Sequence, residues 1–401
     1  MNADEFSTNI INIGGVEIGA DRRIAVQSMT KTDTRDVAAT AAQIRALADV
    51  GCDIVRMSVL DMAAATAIGE IRRALAEETG AGIGAGVGAG TRAGTGAVGV
   101  PLVADIHFDH RLALESIRQG VDKVRINPGN IGDRSRVKEV ADAARERGVP
   151  IRIGVNGGSL DRELARKYGG VTAEALVESA LTQAEVLNMC GFYDIVVSIK
   201  SSDVFLTVEA CRLFHSKKTG IPQHIGITEA GTATSGIVKS TIGLYDMLRE
   251  GIGDTLRISL TGDPVEEVIA AKTLMQTLGQ ANIGRTGGSG GFGEGVGAHG
   301  GGARIGGIEL ISCPTCGRCK TDITGFINEI ERRLHGIRTD KHIKVAVMGC
   351  AVNGPGEARG ADVGVAGGDG RALIFKHGEP LYQVPESELV DALFRELMSI
   401  V

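Results

Sequence analysis

From Ile24 to Leu278 the chain alternates between short β-branched, apolar runs and longer stretches of helical periodicity. The short runs are Ile24–Met29, Asp53–Ser58, Pro101–His107, Asp122–Asn127, Pro150–Asn156, Asp194–Lys200, His224–Glu229 and Asp254–Leu260. Between them, segments such as Val37–Val50 and Pro264–Leu278 repeat apolar residues at intervals of three and four, which predicts amphipathic helices. Near-continuous apolar strands separated by helices predict a parallel sheet covered on both faces. Eight such units in about 280 residues match the size of an α/β TIM barrel, with a doubly wound open sheet as the competing arrangement.

The pattern changes after the eighth unit. A helix is predicted over Ile323–His335, strands at Ile343–Met348, Asp362–Ala366 and Ala372–Lys376, and a last helix over Ser387–Met398. The chain therefore divides into a barrel domain over 1–283, a linker over 284–307 and a small α/β domain over 308–401. Glycine marks the boundaries. Of 58 glycines, nine fall in Gly80–Gly99 and 13 in Gly284–Gly307. The first insert joins a helix to the next strand, which in a barrel lies on the face opposite the active site. The second has the composition of a flexible domain linker.

Composition narrows the function classes. Apolar residues make up 43% and charged residues 23% of the chain, so a folded core is expected and disorder is excluded. No 18-residue stretch is apolar enough to predict a membrane span. A net charge of −6, 3% aromatic residues and no tryptophan argue against a nucleic-acid partner. The opening Met1–Phe6 lacks the basic and apolar regions of a leader, so a cytoplasmic location is expected. In that reducing setting seven cysteines point to metal ligation before disulfides.

In a TIM barrel the C-terminal strand ends build the active site. Those ends carry Arg56, His107, Arg125 with Asn127, Arg152 with Asn156, Lys200, and Arg257 with Ser259. Five cations on one mouth of an acidic protein predict a polyanionic small molecule, since guanidinium forks suit phosphate oxygens. The alternative is internal pairing with Asp53, Asp105, Asp122 or Glu229.

The small domain contains Cys313-Pro314-Thr315-Cys316, then Cys319, and Cys350 in the segment Met348–Glu357. Such spacing suits a redox pair, half of a zinc site, a ferredoxin-like cluster run in which one of the four thiols is spare, or a closed structural site that uses all four. The glycines and proline that follow Cys350 allow a tight turn that brings the Glu357 carboxylate back toward it. Three thiolates and one oxygen donor suit a catalytic iron site. Cys52, Cys190 and Cys211 read as small buried hydrophobes.

At these positions the sequence closely resembles the bacterial 4-hydroxy-3-methylbut-2-enyl diphosphate synthases. The resemblance is carried by Ala25–Thr30, Ile54–Arg56, Val103–Phe108, Arg125–Gly129, Arg152–Asn156, Gly226–Gly231, Asp254–Leu260, Ser312–Arg318 and Gly349–Glu357. It spans nearly the whole chain outside the two Gly-rich inserts. It implies reductive ring opening and dehydroxylation of 2-C-methyl-D-erythritol 2,4-cyclodiphosphate, with electrons delivered through a [4Fe-4S] cluster. It implies cluster ligation by Cys313, Cys316, Cys350 and Glu357. Arg56, Arg125, Arg152, Lys200, Arg257 and Ser259 would hold the diphosphate, with His107, Asn127, Asn156 and Glu229 around it. Asn353 would reach the substrate from the cluster domain, and Glu229 or His107 would deliver protons. A flavodoxin or ferredoxin donor and a homodimer are also implied. Cys319 departs from the family pattern.

Overall fold

The eight apolar runs pair as eight parallel strands, each packed against helices. A computed structural model describes residues 6–77, 99–228, 230, 233–280, 307–312, 323–337, 339, 341–349, 361–368 and 370–401. The chain divides into two compact units, the first running to Ala271 and the second taking in the described residues from Gly307 onward.

The first unit opens with a hairpin, β1 (Ile11–Ile13) and β2 (Val16–Ile18). Its two-residue turn is Gly14-Gly15, both with positive φ (53° and 93°), the conformation that matches hairpin twist and that glycine adopts freely. The barrel strands follow: β3 (Ala25–Met29), β4 (Ile54–Ser58), β5 (Leu102–Asp105), β6 (Lys123–Ile126), β7 (Ile151–Asn156), β8 (Ile195–Lys200), β9 (His224–Ile225) and β10 (Thr255–Leu256). Their order is β8-β7-β6-β5-β4-β3-β10-β9. The ring closes between β8 and the start of β9, through the Val197–Gln223 bridge and a 2.9 Å bond from Val197 N–H to the Pro222 carbonyl. The last two strands are much shorter than their apolar runs. Gly226, at φ 151°, turns the chain out of the ladder after Ile225.

The connecting helices are α1 (Val37–Asp49), α2 (Met62–Glu77), α3 (His110–Arg118), α4 (Arg134–Arg147), α5 (Arg162–Lys167), α6 (Ala173–Asn188), α7 (Val204–Ser216), α8 (Ala233–Leu248) and α9 (Pro264–Gln280). Aspartate marks both kinds of element boundary. Asp36, Asp109, Asp133, Asp161 and Asp203 cap α1, α3, α4, α5 and α7 by accepting backbone N–H groups of the first turn. Asp53, Asp122 and Asp254, each just before a strand, accept the N–H of Val26, Leu102 and Gln223 at 2.7–2.9 Å. These bonds fix neighbouring strands at the N-terminal end of the barrel.

The hairpin seals that end. Ile11, Ile13, Val16 and Ile18 are buried in one cluster with Ala25, Ile54, Val103 and Val196 from the lowest turn of the strands. Above this aliphatic floor the interior turns polar.

The second unit is a five-stranded sheet with order β11-β12-β13-β14-β15: β11 (Gly307–Ser312), β12 (His342–Met348), β13 (Val363–Gly367), β14 (Arg371–Lys376) and β15 (Glu379–Pro385). β11, β12 and β13 are parallel, and β14 and β15 are antiparallel. α10 (Ile323–His335) and α11 (Leu389–Met398) cover one face, burying Ile330, Leu334, Leu393 and Leu397 with Ile343, Val345 and Val347. Asp362 repeats the boundary device of the barrel, accepting the Lys344 N–H at 2.8 Å. Among the described residues no helix is long and apolar enough to cross a membrane.

Candidate active site

Parallel strands have one pleat, so residues two apart along a strand face the same way. In the barrel this alternation aims Gln27 and Met29, Arg56, Asp105, Lys123 and Arg125, Arg152 and Gly154, and Lys200 at the interior. The ladder then stacks them: Met29 is paired with Arg56, Asp105 with Arg125, and Arg125 with Arg152. Six cations, Arg56, Lys123, Arg125, Arg152, Lys200 and Arg257, face two carboxylates, Asp105 and Glu267, among the described residues.

Asp105 at the end of β5 is the central anion. Its Oδ1 accepts from Arg125 Nη1 at 3.2 Å, and its Oδ2 lies 3.8 Å from Arg56 Nε. Burial works to raise this carboxyl, yet Arg56, Arg125, His107 and Arg152 together hold it below its usual value. Arg56 also reaches the Met29 sulfur with Nη2 at 2.9 Å. Burial, with Arg257 and Arg125 nearby and against the pull of Asp105, brings Arg56 down to about 10.

Arg125 is held on three sides: by Asp105, by His107 Nε2 at 2.9 Å, and by the Gly154 carbonyl at 3.4 Å. Because a guanidinium only donates, Nε2 of His107 is the acceptor and the neutral ring carries its proton on Nδ1. Burial first, then Arg125 and Arg56, lowers His107 below its ordinary 6.5 against the opposing pull of Asp105. Gly154 is required here, since a Cβ on it would stand 2.4 Å from Arg125 Nε.

Among the described residues Arg152 is the largest fully buried side chain, at 1% exposure, and its Nε and Nη1 meet no acceptor. A buried guanidinium without partners costs several kcal/mol in general, which a bound anion recovers. Burial, with Arg56 and Arg125 beside it, lowers it well below its ordinary value. Arg257 is the opposite case. Nε and Nη2 fork onto both Glu267 oxygens at 2.9 and 3.0 Å, so its charge is already matched. Lys200, at the end of β8, touches the buried His224 at 3.3 Å.

The structure thus brings Arg56, His107, Arg125, Arg152, Lys200 and Arg257 to one mouth. Asn127 follows β6 and accepts the Gly129 N–H at 3.1 Å; Asn156 ends β7; Ser259 lies, partly buried, beyond β10. Of the carboxylates weighed for internal pairing, Asp53 and Asp122 sit at the opposite end, engaged by Arg23 and Arg72. Only Asp105 among the described ones meets the cations. Glu229, Cys313, Cys316, Cys319, Cys350, Asn353 and Glu357 lie outside the described residues, as do nearly all of both Gly-rich inserts. Cys52, Cys190 and Cys211 are buried, and burial pushes the Cys211 thiol up to about 12.

Reading strand ends alone misses the layer beneath: Gln27, Lys123, His224 and Thr255, with Glu267 reaching in from α9. Lys123 is fully buried and donates only weakly, at 3.4 Å, to Gln27, whose amide nitrogen finds no acceptor. Alternation would have found Lys123, which stands two residues before Arg125 on the same strand.

Residues 8–272 match the family model described as the GcpE TIM-barrel domain, and 309–399 match the GcpE protein C-terminal domain. Curated relatives named 4-hydroxy-3-methylbut-2-en-1-yl diphosphate synthase (flavodoxin) are similar along the whole chain. The Geobacter sulfurreducens protein is 49% identical over 98% of both chains. That of Caldanaerobacter subterraneus subsp. tengcongensis is 48% identical, covering 98% of this chain and 97% of its own. That of Clostridium perfringens is 46% identical over 100% of both. With both units matched and full-length relatives at this identity, the chain belongs to the GcpE family of 4-hydroxy-3-methylbut-2-en-1-yl diphosphate synthases.

Proposed function

We propose that this protein is a cytoplasmic iron–sulfur oxidoreductase acting on 2-C-methyl-D-erythritol 2,4-cyclodiphosphate. The substrate takes up two electrons and two protons, loses the C3 oxygen as one water, and leaves as 4-hydroxy-3-methylbut-2-enyl diphosphate. One observation carries the reading: a buried well in which six cations face two carboxylates, with two guanidinium nitrogens of Arg152 unpartnered.

Arg152 and Arg125 meet the diphosphate from the wall, and Lys200 closes on it from β8. Arg56 and Arg125 share Asp105, so each guanidinium is pre-aimed before the anion arrives and little reorganisation accompanies binding. Glu267 fixes Arg257 as a rigid edge of the site. Asn127, Asn156 and Ser259 supply neutral hydrogen bonds around the carbon skeleton. The incoming negative charge offsets Arg125 and Arg56, which hold the His107 pKa down, so His107 gains a proton more readily in the complex. His107 and Glu229 are the groups of this chain that would then move protons at the mouth.

The donor set for a [4Fe-4S] cluster is Cys313, Cys316, Cys350 and Glu357, and thiolates are the usual ligands of such clusters. The second unit suits this assignment. β11 and β12 are adjacent and parallel with Ser312 beside Val347, so both strands deliver the chain to the same end of the sheet. Cys313 follows Ser312 directly, and Cys350 follows Gly349. When bound, the cluster supplies the substrate with single electrons received from flavodoxin. Asn353 belongs to the same segment and would contact substrate in a homodimer.

Anaerobically purified protein should be brown and turn over the cyclodiphosphate with dithionite or reduced flavodoxin. A colourless, zinc-loaded protein without turnover would overturn the proposal. Cys350→Ala should lose the visible absorption, and Arg152→Met should keep it while weakening substrate binding.

A further inference from the structure

We propose that His224 is a positioning residue for substrate recognition, holding the Lys200 ammonium on an uncharged acceptor while Thr255 takes the ring's other hydrogen bond and keeps it in place. This rests on the reading of Lys200 as a substrate-binding cation. Lys200 Nζ lies 3.3 Å from His224 Nε2, and His224 Nδ1 lies 2.7 Å from Thr255 Oγ1. All three side chains are buried. The ladder puts them in a row: His224 and Thr255 are register partners, and the Val197–Gln223 bridge sets β8 beside β9.

An ammonium has hydrogens to give and no lone pair, so Nε2 accepts. The neutral ring then carries its proton on Nδ1 and donates it to the Thr255 hydroxyl. Burial first, and then Lys200, Arg152, Lys123 and Arg56, push His224 well below its ordinary value, which keeps the ring an acceptor. Burial first, and then Arg152, Arg56 and Arg257, lower Lys200 against the pull of the Cys211 thiol, so an acceptor on Nζ is what favours its charged form. Arg257 shows the alternative: there Glu267 supplies direction but cancels the charge. His224 supplies direction and leaves the Lys200 charge for the ligand. Gly226 keeps the space open, since a Cβ there would come within 2.9 Å of Lys200 Nζ.

The test uses the holoenzyme with two readouts, calorimetric binding of inorganic pyrophosphate and cyclodiphosphate turnover across the alkaline range. His224→Leu should raise the pyrophosphate Kd and the substrate KM about tenfold, the size expected for losing a charged hydrogen bond. Its kcat should stay within about twofold. The alkaline limb of binding should move to lower pH, because the ammonium has lost its acceptor. His224→Gln, whose Oε1 can reach the place of Nε2, should restore most of the binding. Thr255→Val should reproduce part of the defect and Thr255→Ser should not. On a Lys200→Met background, His224→Gln and Thr255→Val should add nothing. These two variants carry the test if His224→Leu fails to fold. A further loss on the Lys200→Met background, or an unmoved alkaline limb, would overturn the relay. Weakened Lys200→Met beside normal His224 variants would sink the relay alone. Normal Lys200→Met would sink the substrate reading of Lys200 as well.

Discussion

Two glycines determine where the cations of the mouth can stand. Gly154 gives up its side-chain volume to Arg125, and Gly226 gives up its own to Lys200 and to the Arg257 carbonyl, 2.3 Å from its missing Cβ. Gly154→Ala should therefore displace Arg125 from both Asp105 and His107. Overpacking of this kind costs about 1–3 kcal/mol in general. The larger expected effect is on recognition, a raised KM with visible absorption unchanged, measured by steady-state kinetics beside the cluster spectrum. His107 gives a second residue-scale prediction. With Nε2 engaged by Arg125 and its pKa lowered, it should be neutral at pH 7 in the free enzyme. Its ring resonances should titrate at higher pH with pyrophosphate bound, which NMR of labelled histidine would detect. A histidine that titrates at its ordinary value in both states would contradict this.

At the scale of elements, aspartate stitches the strands to one another. Asp53 is 1% exposed and accepts both the Val26 N–H and the Arg23 guanidinium. Asp53→Ala leaves a buried donor unmatched between β3 and β4 and should cost about 2–3 kcal/mol in chemical unfolding. Substrate affinity should hold at permissive temperature, because the mouth is at the other end of the strands. The alternation of apolar runs and helices made the barrel legible, and the helix over Ile323–His335 was read to the residue. The hairpin carries a signal too, apolar and polar residues alternating about Gly14-Gly15, but each run is only three residues long and is easily passed over. β15 was hidden by Pro380 and Pro385, which an edge strand tolerates. In the site, the cations at strand ends were legible as charges inside apolar runs. Of their partners, Asp105 is legible as a carboxylate inside the same kind of run, and Glu267 is not. Glu267 looks in sequence like a surface residue of the first turn of α9, and only the closed ring turns it toward Arg257 and Ser28.

For the whole molecule, the interior of the barrel carries excess positive charge that ligand must balance. Pyrophosphate should raise the unfolding temperature, the gain growing with the logarithm of its concentration over Kd, since it binds the folded state alone. The same charges set the pH dependence. His107 and His224 bind protons less readily folded than unfolded. As pH falls past about 6.5 the unfolded chain gains protons first, so stability should decline there. The buried Lys123 and Lys200 hold their protons less readily folded than unfolded, so on the basic side stability should rise with pH toward about pH 10. Urea midpoints across this range would show both limbs, and a flat profile would contradict them. The sealed floor has a kinetic consequence. With β1 and β2 stoppering the N-terminal end, the well among the described residues opens at the C-terminal ends of the strands, and the molecule leaving must clear that mouth before the next can enter. Added product should therefore compete directly with substrate, altering apparent affinity while maximal velocity stays constant.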